Sequence, residues 1–311
     1  MTRKSAVKDN VYPDEVYRNT AVKLTNQHLS NLSEDHLYHL SLVKRGDNLE
    51  KQFGDVKVVC TGGSAERMKM CAMMMNEELG NPSGPLQDLS EDGHRFSMYK
   101  VGPVLFVNHG MGIPSLAILL HEVFKLLAYA KCTGVVMLRL GTCGGIGIEP
   151  GTLVITEKAV DDRMRPVYEQ VKLGLLVQTE SVIDHRMIES LKNFAATEFP
   201  QLPVFTGMTM STTEFYEGQG RMDGAFCDFG EKDRENYLNQ LKKDGVMNIE
   251  MEANAFAALC NKAGIKCGVV NVVLVNRLQG DQVKISKDEY KEYQKRPARF
   301  AIKYILKSLL N

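Results

Sequence analysis

The stretch Val135-Val136-Met137-Leu138-Arg139-Leu140-Gly141-Thr142-Cys143-Gly144-Gly145 joins an apolar, β-branched run to a glycine-rich tail, with one arginine inside the run. An apolar run bounded by turn residues reads as a strand buried on both faces. Sheets covered on both faces are built from strands alternating with helices, and the neighbouring sequence alternates in that way. Upstream, Val56 to Cys60 is a strand ending in Thr61-Gly62-Gly63-Ser64, followed by a Met-rich helical stretch from about Ala65 to Leu79. Val104 to Val107 is another strand, and Ser115 to Lys131 has helical spacing. Downstream, Thr152 to Thr156, Val204 to Met208 and Cys267 to Val275 read as strands. Residues 184–198, 231–243, Ala253 to Ala263 and Asp288 to Leu309 read as helices. No repeat or linker interrupts them, so the expectation is one α/β domain over 31–311 behind a polar, mobile N-terminal arm over 1–30. In such sheets ligands gather at the carboxyl ends of strands. The glycine-rich segments, Gly141–Gly145 among them, are expected there as turns.

Composition narrows the class. The chain has 311 residues, 44 % of them hydrophobic, and 38 Lys+Arg balance 38 Asp+Glu. Zero net charge argues against a general nucleic-acid binder, whose backbone contacts need a basic surplus. No apolar run approaches the ~20 residues of a membrane span; the longest, Leu116 to Ala130, is broken by His121, Glu122 and Lys125. Met1 to Asn10 lacks the apolar centre of a secretory signal. The seven cysteines are scattered without a CxxC pair, and are expected as buried free thiols in a reducing compartment, not as a disulfide framework or zinc site. A cytoplasmic globular protein is the expectation.

Five segments carry chemistry. Thr61-Gly62-Gly63-Ser64-x-x-Arg67 lies between a strand and a helix. Its glycines let the backbone approach an anion, the helix start offers free N–H groups, and Arg67 would add a forked donor; a plain βα turn with a solvated arginine is the alternative. Arg139 sits in an otherwise apolar strand and cannot shed its charge. It therefore requires a bound anion or a carboxylate partner. Arg95 alone would be a surface arginine. Phe215-Tyr216-Glu217-Gly218-Gln219-Gly220-Arg221 combines an aromatic ring, an amide and a guanidinium, which can match the edge and face of a heterocyclic base or form only a flexible polar loop. Glu250-Met251-Glu252 precedes the apolar stretch Ala253 to Leu259. Sugar hydroxyls could supply donors to one of these carboxylates, and capping of the helix start is the other reading. Together the segments imply phosphate, ribose and a nucleobase as ligands.

With these residues in hand, the chain resembles the animal-type uridine phosphorylases of the nucleoside phosphorylase-I family. The resemblance runs from about Leu37 to the C-terminal helix. It rests on Gly62-Gly63-Ser64 with Arg67, His109-Gly110-Met111-Gly112-Ile113-Pro114-Ser115, Arg139-Leu140-Gly141-Thr142, the 215–221 segment, Asn248-Ile249-Glu250-Met251-Glu252, and Asn276-Arg277-Leu278-x-Gly280-Asp281-Gln282. Each is weak alone; six in order are specific. The resemblance implies a single domain whose central mixed β-sheet forms a partial barrel flanked by helices. It implies reversible phosphorolysis of uridine to uracil and ribose 1-phosphate in pyrimidine salvage, with phosphate as a substrate and neither cofactor nor metal. By resemblance, Gly63, Arg67, Arg95, Arg139 and Thr142 hold phosphate, and His39, Met251 and Glu252 hold ribose. Phe215, Gln219, Arg221, Arg277, Val275 and Val283 hold uracil. Arg67, Arg139, Gln219, Arg221 and Glu252 are the expected catalytic set.

A homodimer is implied, with His39 reaching the neighbouring site. Asn276-Arg277 stands where related purine enzymes carry an aspartate, which favours a pyrimidine. Cys143 replaces an expected serine, and Val275 and Val283 replace larger apolar residues, which opens selectivity against thymidine; a broader pyrimidine nucleoside phosphorylase also accepting deoxyuridine and thymidine is the alternative function. A hydrolase and a catalytically silent nucleoside-binding protein are the competing readings. The arginines are expected to converge on one cationic pocket, with the compensating acids elsewhere.

Overall fold

Regular alternation of apolar strands and amphipathic helices dictates a layered molecule, because each apolar face must be covered. A computed structural model describes residues 15–81, 86–90 and 95–310; Met1 to Asn10, read above for a signal, lies outside them. Helix α1 (Glu15–Arg18) is followed by a hairpin of β1 (Glu34–Leu37) and β2 (Leu42–Arg45), and by α2 (Asn48–Phe53). Then come β3 (Val58–Gly62), α3 (Ala65–Glu78), β4 (Met98–Val101), β5 (Val104–Asn108), α4 (Ile113–Tyr129) and β6 (Val136–Gly145). β7 (Leu153–Val160) leads to a second hairpin, β8 (Val167–Lys172) with β9 (Leu175–Glu180), and to α5 (His185–Glu198). The chain ends with β10 (Val204–Ser211), α6 (Glu231–Lys243), β11 (Val246–Glu250), α7 (Ala253–Lys262), β12 (Lys266–Asn276) and α8 (Lys287–Tyr304), which runs on as a π-helical turn over Ile305–Leu309.

The central sheet has the order β11-β10-β7-β12-β6-β3-β5-β4. An additional pairing of β11 with β6, through Asn248 opposite Gly145 and Ile249 opposite Gly144, closes five strands into a ring. The expected partial barrel is thus a closed mixed barrel of β6, β12, β7, β10 and β11, with β3, β5 and β4 extending from it. Along the shared strands, side chains alternate between two cores. Val59, Leu105, Met137 and Val269 face α2, α4 and α7, whereas Val58, Phe106, Leu138 and Val270 face α3, α5 and α8. This is the two-faced burial that the continuous apolar runs predict.

Gly141–Gly145, expected as a turn, is the second half of β6 and pairs with β12 through Gly141 opposite Asn271 and Thr142 opposite Val272. Glycine there serves close packing: a Cβ at Gly141 would overlap Asn271 Oδ1 and lie 2.9 Å from Arg139 Nη1. The segment read as an arm is docked from Tyr17 onward. The Tyr17 hydroxyl donates to Val135 O (2.6 Å) and accepts from Lys266 N (2.8 Å), tying the starts of β6 and β12 together. Six cysteines are buried free thiols as expected, but Cys227 is exposed. Among the described residues no helix is long and apolar enough to cross a membrane.

Candidate active site

One edge of β6 changes partner partway along its length. β3 runs beside it up to Thr61 opposite Arg139, and β11 takes over at Ile249 opposite Gly144. Between those points the edge is open, and a cavity of about 380 Å³ lies there. Ligands favour such a switch point because loops from diverging strands leave a crevice between them. The cavity is lined by twelve of the residues expected from sequence. They are Gly63, Arg67, Arg139 and Thr142; Met251 and Glu252; and Phe215, Gln219, Arg221, Val275, Arg277 and Val283.

At one end, β3 delivers Gly63 and the start of α3. Ser64 caps the helix, its Oγ accepting from Arg67 N at 3.4 Å. The Arg67 guanidinium has no ion pair or hydrogen bond among the described residues, and burial, then the charge of Arg139, work against it. A Cβ on Gly63 would sit 3.0 Å from Gly110 O and 3.5 Å from Arg67 Nη2, so a side chain there would crowd this approach. His109 lies behind it, fully buried, with both ring nitrogens unpaired. Burial, then Arg139 and Arg67, hold its imidazole well below its ordinary value, so it is neutral.

Arg139 is also buried, but it is not free. Its Nη1 lies 2.7 Å from Glu250 Oε2, its Nη2 pairs with Glu252 Oε2, and its Nη1 donates to Asn271 Oδ1 at 3.2 Å. Both readings of Arg139 thus have a basis: it lines the cavity, and it carries an internal ion pair. Burial opposes its charge, and the two glutamates outweigh burial. The compensating acids therefore stand inside the pocket, which corrects the expectation that they lie elsewhere. Glu250 accepts from Ser211 Oγ (2.6 Å) and from the backbone N–H groups of Glu252 (2.9 Å) and Ala253 (2.9 Å), so it also caps α7. Burial pushes its carboxyl up, against the pull of Arg139. Glu252 accepts from Gly112 N at 2.6 Å, which ties the loop before α4 to the same cluster.

The opposite end is built by the 212–222 loop and the segment after β12. Arg221 lies 4.4 Å from the Phe215 ring centroid, a cation–π geometry, and its guanidinium forks onto Asp223 at 2.9 and 2.7 Å. Gln219 is buried and donates from Nε2 to Thr212 Oγ1 at 3.0 Å. Arg277, the largest fully buried side chain, donates from Nη2 to Gln219 O at 2.9 Å. Asp281 joins Arg277 (3.0 Å) and Arg234 (3.1 Å). Burial opposes its ionisation, but Met222 N–H and the two guanidinium groups hold its carboxyl below the ordinary value. Gly220 has φ +64, and a Cβ there would press on the Tyr237 ring at 2.9 Å. A side chain would be strained on both counts.

Two expected residues stand apart. Arg95 is exposed and outside the cavity lining; of its sequence neighbours, Gly93 and His94 lie outside the described residues. His39 is also outside the lining, with Nδ1 2.6 Å from Glu122 Oε1. Three contributors escaped the sequence reading: Asn271, Asp281 as an acid among arginines, and Tyr290 of α8, which lines the cavity. Asn271 could have been flagged as an amide inside an apolar strand; Tyr290 gives no local signal. Among the described residues, no group of three or more His, Cys, Asp or Glu is placed to hold a metal.

The closed mixed barrel thus holds a switch-point cavity with arginines at both ends and carboxylates between them. Residues 57–307 match the model of the Phosphorylase superfamily, and the chain belongs to it. It is 46 % identical over 290 residues to human uridine phosphorylase 2, covering 93 % of this chain and 91 % of that one. Its fold matches the crystal structure of Schistosoma mansoni uridine phosphorylase in complex with thymidine, with a TM-score of 0.88 and 37 % identity over 91 % of this chain and 97 % of that one. It is also 36 % identical to inactive uridine phosphorylase B of Schistosoma mansoni, over 92 % of this chain and 96 % of that one.

Proposed function

We propose that this chain catalyses the reversible phosphorolysis of uridine to uracil and ribose 1-phosphate. The carrying observation is that a single cavity joins the unpaired Arg67 to Glu252 and to the Phe215–Gln219–Arg221 loop. In this reading Gly63, Arg67, Arg139 and Thr142 receive the phosphate, and Met251 and Glu252 the ribose. Phe215, Gln219, Arg221 and Arg277 face uracil, with Val275 and Val283 as apolar wall. Cleavage of the glycosidic bond places positive charge on the sugar and negative charge on the departing base. Gln219 and Arg221 would bind that charge more tightly than the neutral base, which is the differential binding that lowers a barrier. The phosphate dianion both attacks and stabilises the ribosyl cation, and holding it in line supplies much of the remainder. It enters beside Arg67 and competes with Glu252 for Arg139, releasing a carboxylate oxygen toward the sugar hydroxyls.

Phosphate is consumed as a substrate, and the scheme uses no cofactor. Uracil N3–H donates while its carbonyls accept, a pattern that one amide and one guanidinium can meet and that cytosine inverts. Thymidine is expected as a further substrate, its extra methyl group accommodated by the small side chains of Val275 and Val283. We place the enzyme in cytoplasmic pyrimidine salvage as a homodimer, with His39 and Arg95 completing a neighbouring site. That role is consistent with both residues standing outside the cavity of their own chain.

The test is uracil release from uridine with and without phosphate. Phosphate-dependent formation of ribose 1-phosphate is expected. Phosphate-independent turnover would point to a hydrolase, and ligand binding without turnover to a silent relative.

A further inference from the structure

Loop 277–286 passes from the base end of the cavity, where Arg277 and Asp281 stand, to α8, whose first turn returns to the phosphate end. That turn is firmly held. Ser286 Oγ accepts from Glu289 N (3.2 Å), Glu289 Oε2 accepts from Ser286 N (2.9 Å), and Tyr290 N donates to Ser286 O (2.9 Å). A reciprocal cap of this kind holds the first turn of the helix, and the backbone of the next residue, in place. Tyr290 leaves the helix into the cavity, which it lines together with Gly63, Arg67 and Thr142. It is about two-fifths exposed, and its hydroxyl has no hydrogen bond among the described residues. Arg67 needs what such a hydroxyl can give. No carboxylate pairs with it, in contrast to Arg139, and Tyr290 stands near enough to Arg67 for the two to interact across the cavity.

We propose that Tyr290 is a binding residue for phosphate, its hydroxyl donating to the dianion held by Arg67 and thereby helping to set that guanidinium in place. This rests on the phosphorolysis reading for the identity of the anion, but not for its measurement. A phenol supplies one O–H donor at low conformational cost and no charge. It can therefore strengthen dianion binding without adding to the repulsion between Arg67 and Arg139.

The test compares the wild-type protein with Tyr290→Phe and Tyr290→Leu. Inorganic phosphate affinity is measured by calorimetric titration without nucleoside, and phosphate and uridine KM are measured separately. Removal of one hydrogen bond to a charged group at a half-open position is expected to weaken phosphate binding about five- to tenfold in both variants. Uridine KM is expected to stay within about twofold. Unchanged phosphate affinity in Tyr290→Phe overturns the proposal. A loss in Tyr290→Leu alone overturns it too, because the ring would then matter and the hydroxyl would not. A wild-type protein that binds phosphate but performs no phosphorolysis would overturn the functional reading while leaving this comparison intact.

Discussion

Gly141→Ala perturbs the site without removing any charged group. The added Cβ would overlap Asn271 Oδ1 and come 2.9 Å from Arg139 Nη1, so either the Arg139–Asn271 hydrogen bond breaks or β6 and β12 separate. Overpacking of this kind costs about 1–3 kcal/mol, and loss of a hydrogen bond to a charged group about 1.5–3 kcal/mol. Since either route relieves the clash, a stability loss of about 1–3 kcal/mol is expected in chemical denaturation. Arg139 would also be displaced on the order of an ångström, which costs about 100-fold in turnover when a positioning group moves that far. Asn271→Ala removes the atom that is struck, so the double variant should recover part of both losses, with a coupling of about 0.5–3 kcal/mol. The assays are denaturant titration and phosphate-dependent uracil release. Wild-type stability and turnover in Gly141→Ala, or strict additivity in the double variant, would refute the steric account.

Gln219→Leu keeps the volume of a buried side chain but removes both the bond to Thr212 and the base contact, and turnover is expected to fall about 10²–10³-fold; near-normal activity would remove Gln219 from the mechanism. His109 is neutral in the folded protein because burial, and then two arginines, depress its ionisation below 6.5. The unfolded chain takes up that proton below pH 6.5, so this contribution is present above that pH and is lost as pH falls. Wild-type stability between pH 6.5 and 5 should therefore drop by up to about 1.4 kcal/mol per pH unit more steeply than that of His109→Gln; parallel slopes in denaturation series would contradict this. Asp281→Asn leaves Arg277 and Arg234 without their shared acid. Uridine KM should rise and stability should fall by about 2 kcal/mol, less than for a sealed ion pair because the carboxylate keeps some contact with water. An unchanged KM would show that the base end does not depend on this acid.

Much of the architecture is legible locally. Residues 231–243 and 184–198 are amphipathic and bounded by polar residues, and they form α6 and α5 with nearly the expected limits. The strands β3, β5, β6 and β12 are recognisable because burial on both faces makes them near-continuous apolar runs, with the few polar residues such as Arg139 and Asn271 standing out. The hairpins escaped because half-exposed strands such as β9, with Leu175 and Leu176 facing outward, lack that signature. Gly141–Gly145 misled for a chemical reason: glycine favours turns, and here it admits the Asn271 side chain and the Arg139 guanidinium beside a straight strand.

The sequence by itself determined the chemical inventory: one arginine in an apolar strand, a glycine-flanked arginine at a helix start, an amide and a guanidinium in an aromatic loop, and two carboxylates before a buried helix. Spacing along a chain carries the chemistry of residue types, because each type's charge and hydrogen-bonding groups travel with it. Pairing is a property of three dimensions. Only the tertiary structure decided that Glu250 and Glu252 converge on Arg139 while Arg67 is left without an acid. Only closure of β11 onto β6 placed those groups around one cavity. The pocket is therefore not simply cationic. It is a balanced cluster with one guanidinium left open to an anion.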